Sequence, residues 1–216
     1  MSLEPILWTA IAFLAGSIPF SFIVGRLVAH VDIRDYGDHN PGATNVLRAT
    51  GWGWAALAGL LDYLKGALPV GIAWFGAGIA GWGIVPVALA PLLGHAYSPW
   101  LRFRGGKAVA ATFGTWSGLT IGAAPLMLGL MLPLMFAIVV ISGWAVVLAM
   151  LGLGGFLTLQ YGGYQPELLV IWLGNLLLLA WRYRHELRQP PGIRPWLLRL
   201  VARWRWLAVR AARGRR

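Results

Sequence analysis

An all-α fold of several membrane-spanning helices is predicted by three observations. The 216 residues are 58% hydrophobic and only 12% charged, with a mean hydropathy of +0.68, too apolar for a soluble domain. The apolar residues come in runs close to the roughly 20 residues needed to cross the hydrocarbon of a bilayer. Sixteen of the 18 Lys and Arg residues fall in three polar clusters, at residues 30–50, 98–107 and 182–216, whereas the connections at 78–83 and 160–167 are almost uncharged. The positive-inside rule places all three clusters in the cytoplasm.

The elements follow in order. Apolar runs at residues 3–28, 53–77, 84–101, 109–123, 126–141, 143–159 and 168–182 give seven expected crossings, with the N-terminus outside and the C-terminus cytoplasmic. Five is the alternative, because the run from 109 to 141 is divided only by Gly122, Pro125 and Pro133, which transmembrane helices tolerate. The first run lacks a basic leader and is too long for a signal peptide, so it reads as a retained span. Trp52, Trp54, Trp82, Trp100, Trp172 and Trp181 lie near expected span ends, as interfacial anchors do. Residues 1–182 thus form the membrane domain. Residues 183–216 form a basic tail mixing Arg with Trp196, Leu197, Leu198, Trp204, Trp206 and Leu207, suited to an amphipathic helix on the membrane surface. The net charge of +11 is accounted for by anionic lipid headgroups, without nucleic acid. The chain has no cysteine, hence no disulfide or thiolate metal site, and its His and acidic residues nowhere reach metal-ligand density.

Three polar stretches can carry chemistry. In Gly37-Asp38-His39-Asn40-Pro41-Gly42-Ala43-Thr44-Asn45-Val46-Leu47-Arg48, small residues, amides and a hydroxyl precede a helix. Backbone N–H groups there can face an anion that Arg48 grips bidentately; a turn and helix cap would use the same residues. In the second stretch, Asp62 and Lys65 stand three residues apart on one face of an expected span, where ionisable groups are costly and usually functional; a self-neutralising structural pair is the other reading. In the third, Gly94 to Val109, Gly105-Gly106-Lys107 opens a helix, so backbone amides, a helix dipole and an ammonium converge as phosphate binding requires. The spacing is not that of a nucleotide P-loop. Lys65 and Lys107 are the only lysines among 18 basic residues, which points to a need for a compact point charge at both places. His30 and Asp35 satisfy the short H-x(4)-D pattern of another acyltransferase class, a match that arises readily by chance.

These stretches resemble, in order and over nearly the whole chain, the bacterial acyl-phosphate:glycerol-3-phosphate acyltransferases, the PlsY family. Gly16-Ser17-Ile18-Pro19 is similar to the family's GSIP start, Asn40 to Arg48 to N-x-GATNVLR, Asp62 to Pro69 to D-x-x-KG-x-LPV, and Gly94-His95 through Phe103-Arg104-Gly105-Gly106-Lys107 to GH-x(n)-F[RK]GGKG. The resemblance implies a seven-span enzyme of the bacterial plasma membrane with a basic pocket open to the cytoplasm. It would move an acyl chain from acyl phosphate to the 1-hydroxyl of sn-glycerol 3-phosphate, releasing lysophosphatidate and phosphate without acyl-CoA, carrier protein, metal or other cofactor. Lys107, Arg48, Lys65 and Asn40 become the expected catalytic residues. Thr44, Asn45, Gly105, Gly106, Ser98, His95, His185 and Arg104 become the expected substrate-binding set, with His95 supporting its neighbours. The resemblance leaves the oligomeric state open.

The chain departs from the family pattern at three places. Asp38 and His39 stand where Ser and Gly are usual, and Ala108 follows the loop lysine in place of Gly. Arg188 replaces Asn in Arg184-His185-Glu186-Leu187-Arg188, and no acid follows. A carboxylate beside bound phosphate is repulsive unless paired, and Arg34 and Arg104 are the candidate partners for Asp38. These departures support the alternative of a lapsed paralogue that binds glycerol phosphate or a lipid precursor without transfer.

Overall fold

The computed structural model describes residues 3–200 and 203, and among these it is helical throughout apart from turns and one isolated β-bridge. Every expected apolar run becomes helix. The first is not one helix but two, α1 (Glu4–Ser17) and α2 (Phe20–Ala29), because Pro19 cannot donate to the ladder and Ile18 turns extended. The short α3 (Ala43–Thr50) precedes α4 (Trp52–Gly71), whose end loosens into a π-helical turn over Ile72–Gly76, after Pro69 has interrupted the regular ladder. Then come α5 (Ile84–Ala96), α6 (Val109–Thr120), α7 (Ala123–Ile138), α8 (Ser142–Tyr161), α9 (Pro166–Arg182) and the single turn α10 (Arg184–Leu187). Among the described residues, four stretches are long and apolar enough to cross a membrane: Glu4–Ala29, Trp52–Gly76, Gly81–Leu101 and Ser142–Tyr161. Leu3, Leu7, Leu14, Leu68, Leu126, Leu130, Leu151 and Leu177 point outward and exposed, as lipid-facing positions do.

Two helix pairs meet backbone to backbone. On α1 and α5, Cβ atoms at Gly16 and Gly94 would run into the main chain of Pro91 and Phe13. On α4 and α6, Cβ atoms at Gly66, Gly114 and Gly118 would meet the main chain at Ala111, Tyr63 and Ala67. Small residues that let helix backbones touch replace, inside lipid, the hydrophobic drive available in water. Asn175 of α9, fully buried, accepts from Trp116 Nε1 (3.1 Å) and donates to Thr112 Oγ1 (3.0 Å), tying α9 to α6.

The tail differs from a free amphipathic helix at its start. Residues 189–196 form a strap along the α7–α8 connection: Val140 N–H donates to the Gly192 carbonyl (2.8 Å), Arg194 N–H to Ile138 (2.8 Å), Trp196 Nε1 to Ala137 (2.8 Å) and Trp144 Nε1 to Gln189 (2.7 Å). Residues 195–200 are helical, and the expected Trp204, Trp206 and Leu207 positions lie outside the described residues. Trp52, Trp82, Trp100 and Trp181 are exposed as anchors should be. Trp172 is the exception: it packs over Gly154 and donates to the Met150 carbonyl (2.7 Å), joining α9 to α8.

Candidate active site

The loop before α3 is wound around Asn45. Its buried amide donates to Asp38 Oδ1 (3.1 Å) and to the Asn40 carbonyl (2.8 Å), and its oxygen accepts from Arg48 Nη1 (2.6 Å). All the hydrogen-bonding capacity seen for this side chain is spent on the loop, so Asn45 shapes the site rather than facing it. Gly37 has φ +55°, and a Cβ there would collide with the Arg48 guanidinium. A glycine is needed at that point on both counts.

The loop before α6 is laid across the end of α5. Gly106 N–H donates to the His95 carbonyl (3.0 Å), and Arg182 Nη2 donates to the Gly105 carbonyl (2.5 Å). A Cβ on Gly105 would enter the His95 carbonyl and one on Gly106 the His95 ring. The glycine pair is therefore a seat for His95, and the Gly106 amide is already used. Ala108, Val109 and Ala110, which line the site, stand at the start of α6, where backbone amides have no intrahelical acceptor. Ala108 holds the left-handed conformation (φ +63°), in which a glycine would be unstrained. Gly106→Ala is expected to lower thermal stability by about 1–3 kcal/mol through overpacking and to lower turnover with it; unchanged melting and turnover would remove His95 seating as the reason for this glycine.

Lys107 projects from this loop into a wall of opposite charge. Its Nζ lies 2.8 Å from Asp38 Oδ2, 2.6 Å from Glu186 Oε1 and 4.4 Å above the Tyr183 ring. Arg48 Nη1 stands 3.8 Å from Asp38 Oδ1. The partners of Asp38 are thus Lys107 and Arg48, not Arg34 or Arg104. Partial burial raises the Asp38 pKa, but the hydrogen bond and charge of Lys107, with the Asn40 N–H, outweigh it and hold the carboxyl below its usual range. Glu186 also accepts from Gly143 N–H at the start of α8 (2.9 Å), so one carboxylate ties α10 to α8 and to the loop lysine.

Two cavities flank this wall. One, of about 640 Å³, is lined by Asp38, Asn40, Thr44, Arg48, Asp62, His95, Lys107, Ser142 and Glu186, and by Phe136 and Val109 on its apolar side. The other, of about 580 Å³, is lined by Arg34, Asn40, Phe103, Arg104, Gly105, Lys107, Arg184 and His185. The first gathers the N-termini of α3, α6 and α8, whose dipoles each favour an anion. A narrow apolar crevice between α6, α7, α8 and α9, lined by Val109, Phe113, Leu128, Leu132 and Met150, adjoins it.

Four expected site residues line neither cavity: Asn45, held within its loop, and Lys65, Ser98 and Gly106. Lys65, nearly fully buried, is engaged by Asp62 Oδ1 (2.8 Å) and donates to the Ile18 carbonyl (2.7 Å). Asp62 also accepts from Ser21 Oγ (2.5 Å), and His95 Nδ1 lies 3.9 Å from it. Ser98 Oγ donates to the Ser17 carbonyl (2.6 Å). Gly106 lies beneath, against His95. Glu186 and Tyr183 went unnoticed in the sequence, since an acid in a charged turn and a tyrosine at a helix end carry no signal until the fold brings them to Lys107.

No group of three or more His, Cys, Asp or Glu among the described residues could hold a metal. Residues 6–190 match the family described as glycerol-3-phosphate acyltransferase. A Thermotoga maritima protein named glycerol-3-phosphate acyltransferase 1 is 33% identical over 191 residues, covering 83% of this chain and 94% of that one. A Thermus thermophilus glycerol-3-phosphate acyltransferase is 37% identical over 185 residues, covering 84% and 89%. The crystal structure of PlsY, an integral membrane glycerol 3-phosphate acyltransferase, in its glycerol 3-phosphate form aligns with a TM-score of 0.76 at 31% identity, over 85% of this chain and 90% of that one. Its lysophosphatidic acid form aligns with a TM-score of 0.74 at 29% identity. Both the sequence and the helical framework that holds Lys107, Arg48 and Asn40 therefore place this chain in the glycerol-3-phosphate acyltransferase family.

Proposed function

We propose that this protein transfers an acyl chain from acyl phosphate to the 1-hydroxyl of sn-glycerol 3-phosphate at the cytoplasmic face of a bacterial plasma membrane. In this reading the chain crosses the membrane seven times, from an external N-terminus to a cytoplasmic tail on the membrane surface. The observation that carries the chemistry is the convergence of three helix N-termini, Lys107 and Arg48 on one cavity. Such a site neutralises phosphate oxygens by fixed donors that need no reorganisation. The glycerol hydroxyl oxygen bonds to the acyl carbon, the carbon–oxygen bond to phosphate breaks, and the departing phosphate takes the hydroxyl proton. Lys107 and the α6 amides hold the acyl phosphate. Arg48, Asn40 and Thr44 orient glycerol 3-phosphate, with Arg104 and His185 at the neighbouring entrance, and the acyl chain runs past Phe136 toward the lipid. Lys65, Asn45, Ser98, Gly105 and Gly106 serve by placing these groups, and His95 by supporting the floor. No cofactor is required.

Purified protein given palmitoyl phosphate and glycerol 3-phosphate is expected to form lysophosphatidate and free phosphate, and to form neither from acyl-CoA. Silence from folded, lipid-embedded protein would favour the second reading, a binder without transfer. That reading has one observation behind it: Asp38 and Glu186 together neutralise Lys107. The two separate on Asp38→Ser. Freeing Arg48, 3.8 Å away, and Lys107 from this carboxylate is expected to lower KM for glycerol 3-phosphate by about fivefold, the scale of a partly exposed charge; a rise in KM would make Asp38 a substrate contact instead.

A further inference from the structure

A third cavity, of about 560 Å³, lies on the far side of Arg34 and Arg104 from the catalytic wall, lined by Phe22, Arg34, Trp100, Leu101, Arg102 and Arg104. Three guanidinium groups contribute to its lining, and no acid does. Arg34 is held by Asp32 at 2.5 Å and stacks over Phe22 at 4.9 Å, so its fork is fixed in place; Asp35 lies near enough to act on it. Arg102 and Arg104 are exposed and have no acidic partner among the described residues. The cavity is no part of the convergence around Lys107, and it shares only Arg34 and Arg104 with the entrance beside that wall.

The backbone that presents these arginines is under strain. Arg102 and Phe103 are consecutive left-handed residues, at φ +53° and +61°, each costing roughly 1–2 kcal/mol for a side chain with a Cβ. The turn is nevertheless closed tightly, with Arg102 N–H on the Pro99 carbonyl (3.1 Å), Phe103 on Ser98 (2.9 Å) and Arg104 on Leu101 (3.0 Å). It is pinned to the end of α1 by Ser98 Oγ and by Trp100 Nε1, 3.2 Å from Ser17 Oγ. The same turn leaves Trp100 69% and Phe103 65% exposed. Large aromatics beside unpaired arginines at a helix end are the arrangement of a membrane interface, where rings lie at headgroup depth and guanidinium groups reach phosphate. Strain held where ligands bind is a recurrent pattern.

We propose that Arg34, Arg102 and Arg104 form a second phosphate site, for the headgroup of a phosphomonoester lipid lying beside the mouth of the catalytic cavity. The two unpaired forks of Arg102 and Arg104, with the edge of Arg34 that Asp32 does not take, suit the two charges of a monoester better than the single charge of a diester. The exposed Trp100 and Phe103 select a ligand anchored in the bilayer over free phosphate.

The test uses the full-length protein in phosphatidylcholine nanodiscs, with binding of a short-chain phosphatidate measured in the Lys107→Ala background, so that the catalytic cavity contributes little. Arg102→Asn, whose side chain accepts positive φ, is expected to weaken that binding about tenfold, while Arg102→Lys stays within about threefold of the parent. With Lys107 intact, Arg102→Asn should keep turnover within about twofold in phosphatidylcholine alone. Unchanged phosphatidate affinity in Arg102→Asn overturns the site. Equal affinity for phosphatidylglycerol overturns the monoester class, and displacement by millimolar inorganic phosphate overturns the lipid source. Catalytic failure of the wild type on acyl phosphate would leave this binding result standing, because the readout is affinity.

Discussion

Lys107→Ala is expected to reduce kcat/KM for glycerol 3-phosphate by about 10³-fold while the protein remains folded in the membrane. Losing one fixed donor to developing charge costs on the order of 10²–10³. Here the loss is compounded, because Asp38 and Glu186, now held at 2.8 and 2.6 Å by the ammonium, would both confront the incoming phosphate, Glu186 without a cation and Asp38 with only Arg48, 3.8 Å away. Lys107→Arg should rescue poorly. A planar guanidinium cannot take the place of a compact ammonium between two carboxylates and a tyrosine face 4.4 Å away. Steady-state kinetics with thermal melting in the same detergent decide the matter: an intact melting curve with unchanged KM and kcat would remove Lys107 from the site.

The second large effect concerns stability. Asp62→Ala should destabilise the protein by about 3–5 kcal/mol, the usual consequence of leaving one member of a buried ion pair alone. Asp62 and Lys65 are only 2% and 5% exposed, and the stranded ammonium would sit within a span where hydrocarbon offers it nothing. The double change Asp62→Leu with Lys65→Met should recover most of that loss, since an apolar pair of similar volume replaces two desolvated charges. Turnover of the double variant separates the two roles for Lys65. Near-normal kcat with raised KM makes it a positioning residue for the Asp62–His95 floor; abolished kcat in a well-folded double variant makes it a substrate contact. A single Asp62→Ala variant melting within 1 °C of wild type would show that the pair carries no structural weight.

The fold class and the three polar stretches were legible because they depend on local properties: apolar run length, charge asymmetry, and glycines next to donors. Partners were not legible. Asp38 finds Lys107 across 69 residues, whereas proximity in sequence favoured Arg34 and shared basic character favoured Arg104. The glycine pair before Lys107 advertised free amides, yet one of those amides is spent on His95, and the helix start that lines the cavity lies one to three residues after the lysine. Seat and donor look alike in a sequence, because both demand glycine or a helix start. Trp172 was read as an interfacial anchor from its place near a helix end, but Gly154 opposite it opens a slot that only the packed α8–α9 pair reveals. The first span reads as one hydrophobic run, and only Pro19 within it marks where helix gives way.

That interruption has a consequence for how the molecule keeps its shape. Breaking the ladder between α1 and α2 denies the Ile18 carbonyl its α-helical donor; Phe20 N–H reaches it at 3.1 Å and the Lys65 ammonium at 2.7 Å. A straightened helix would reclaim the carbonyl and leave the buried ammonium with Asp62 alone, so the charge on Lys65 favours the bend. The elbow is latched from a neighbouring helix, and a proline alone does not set its angle.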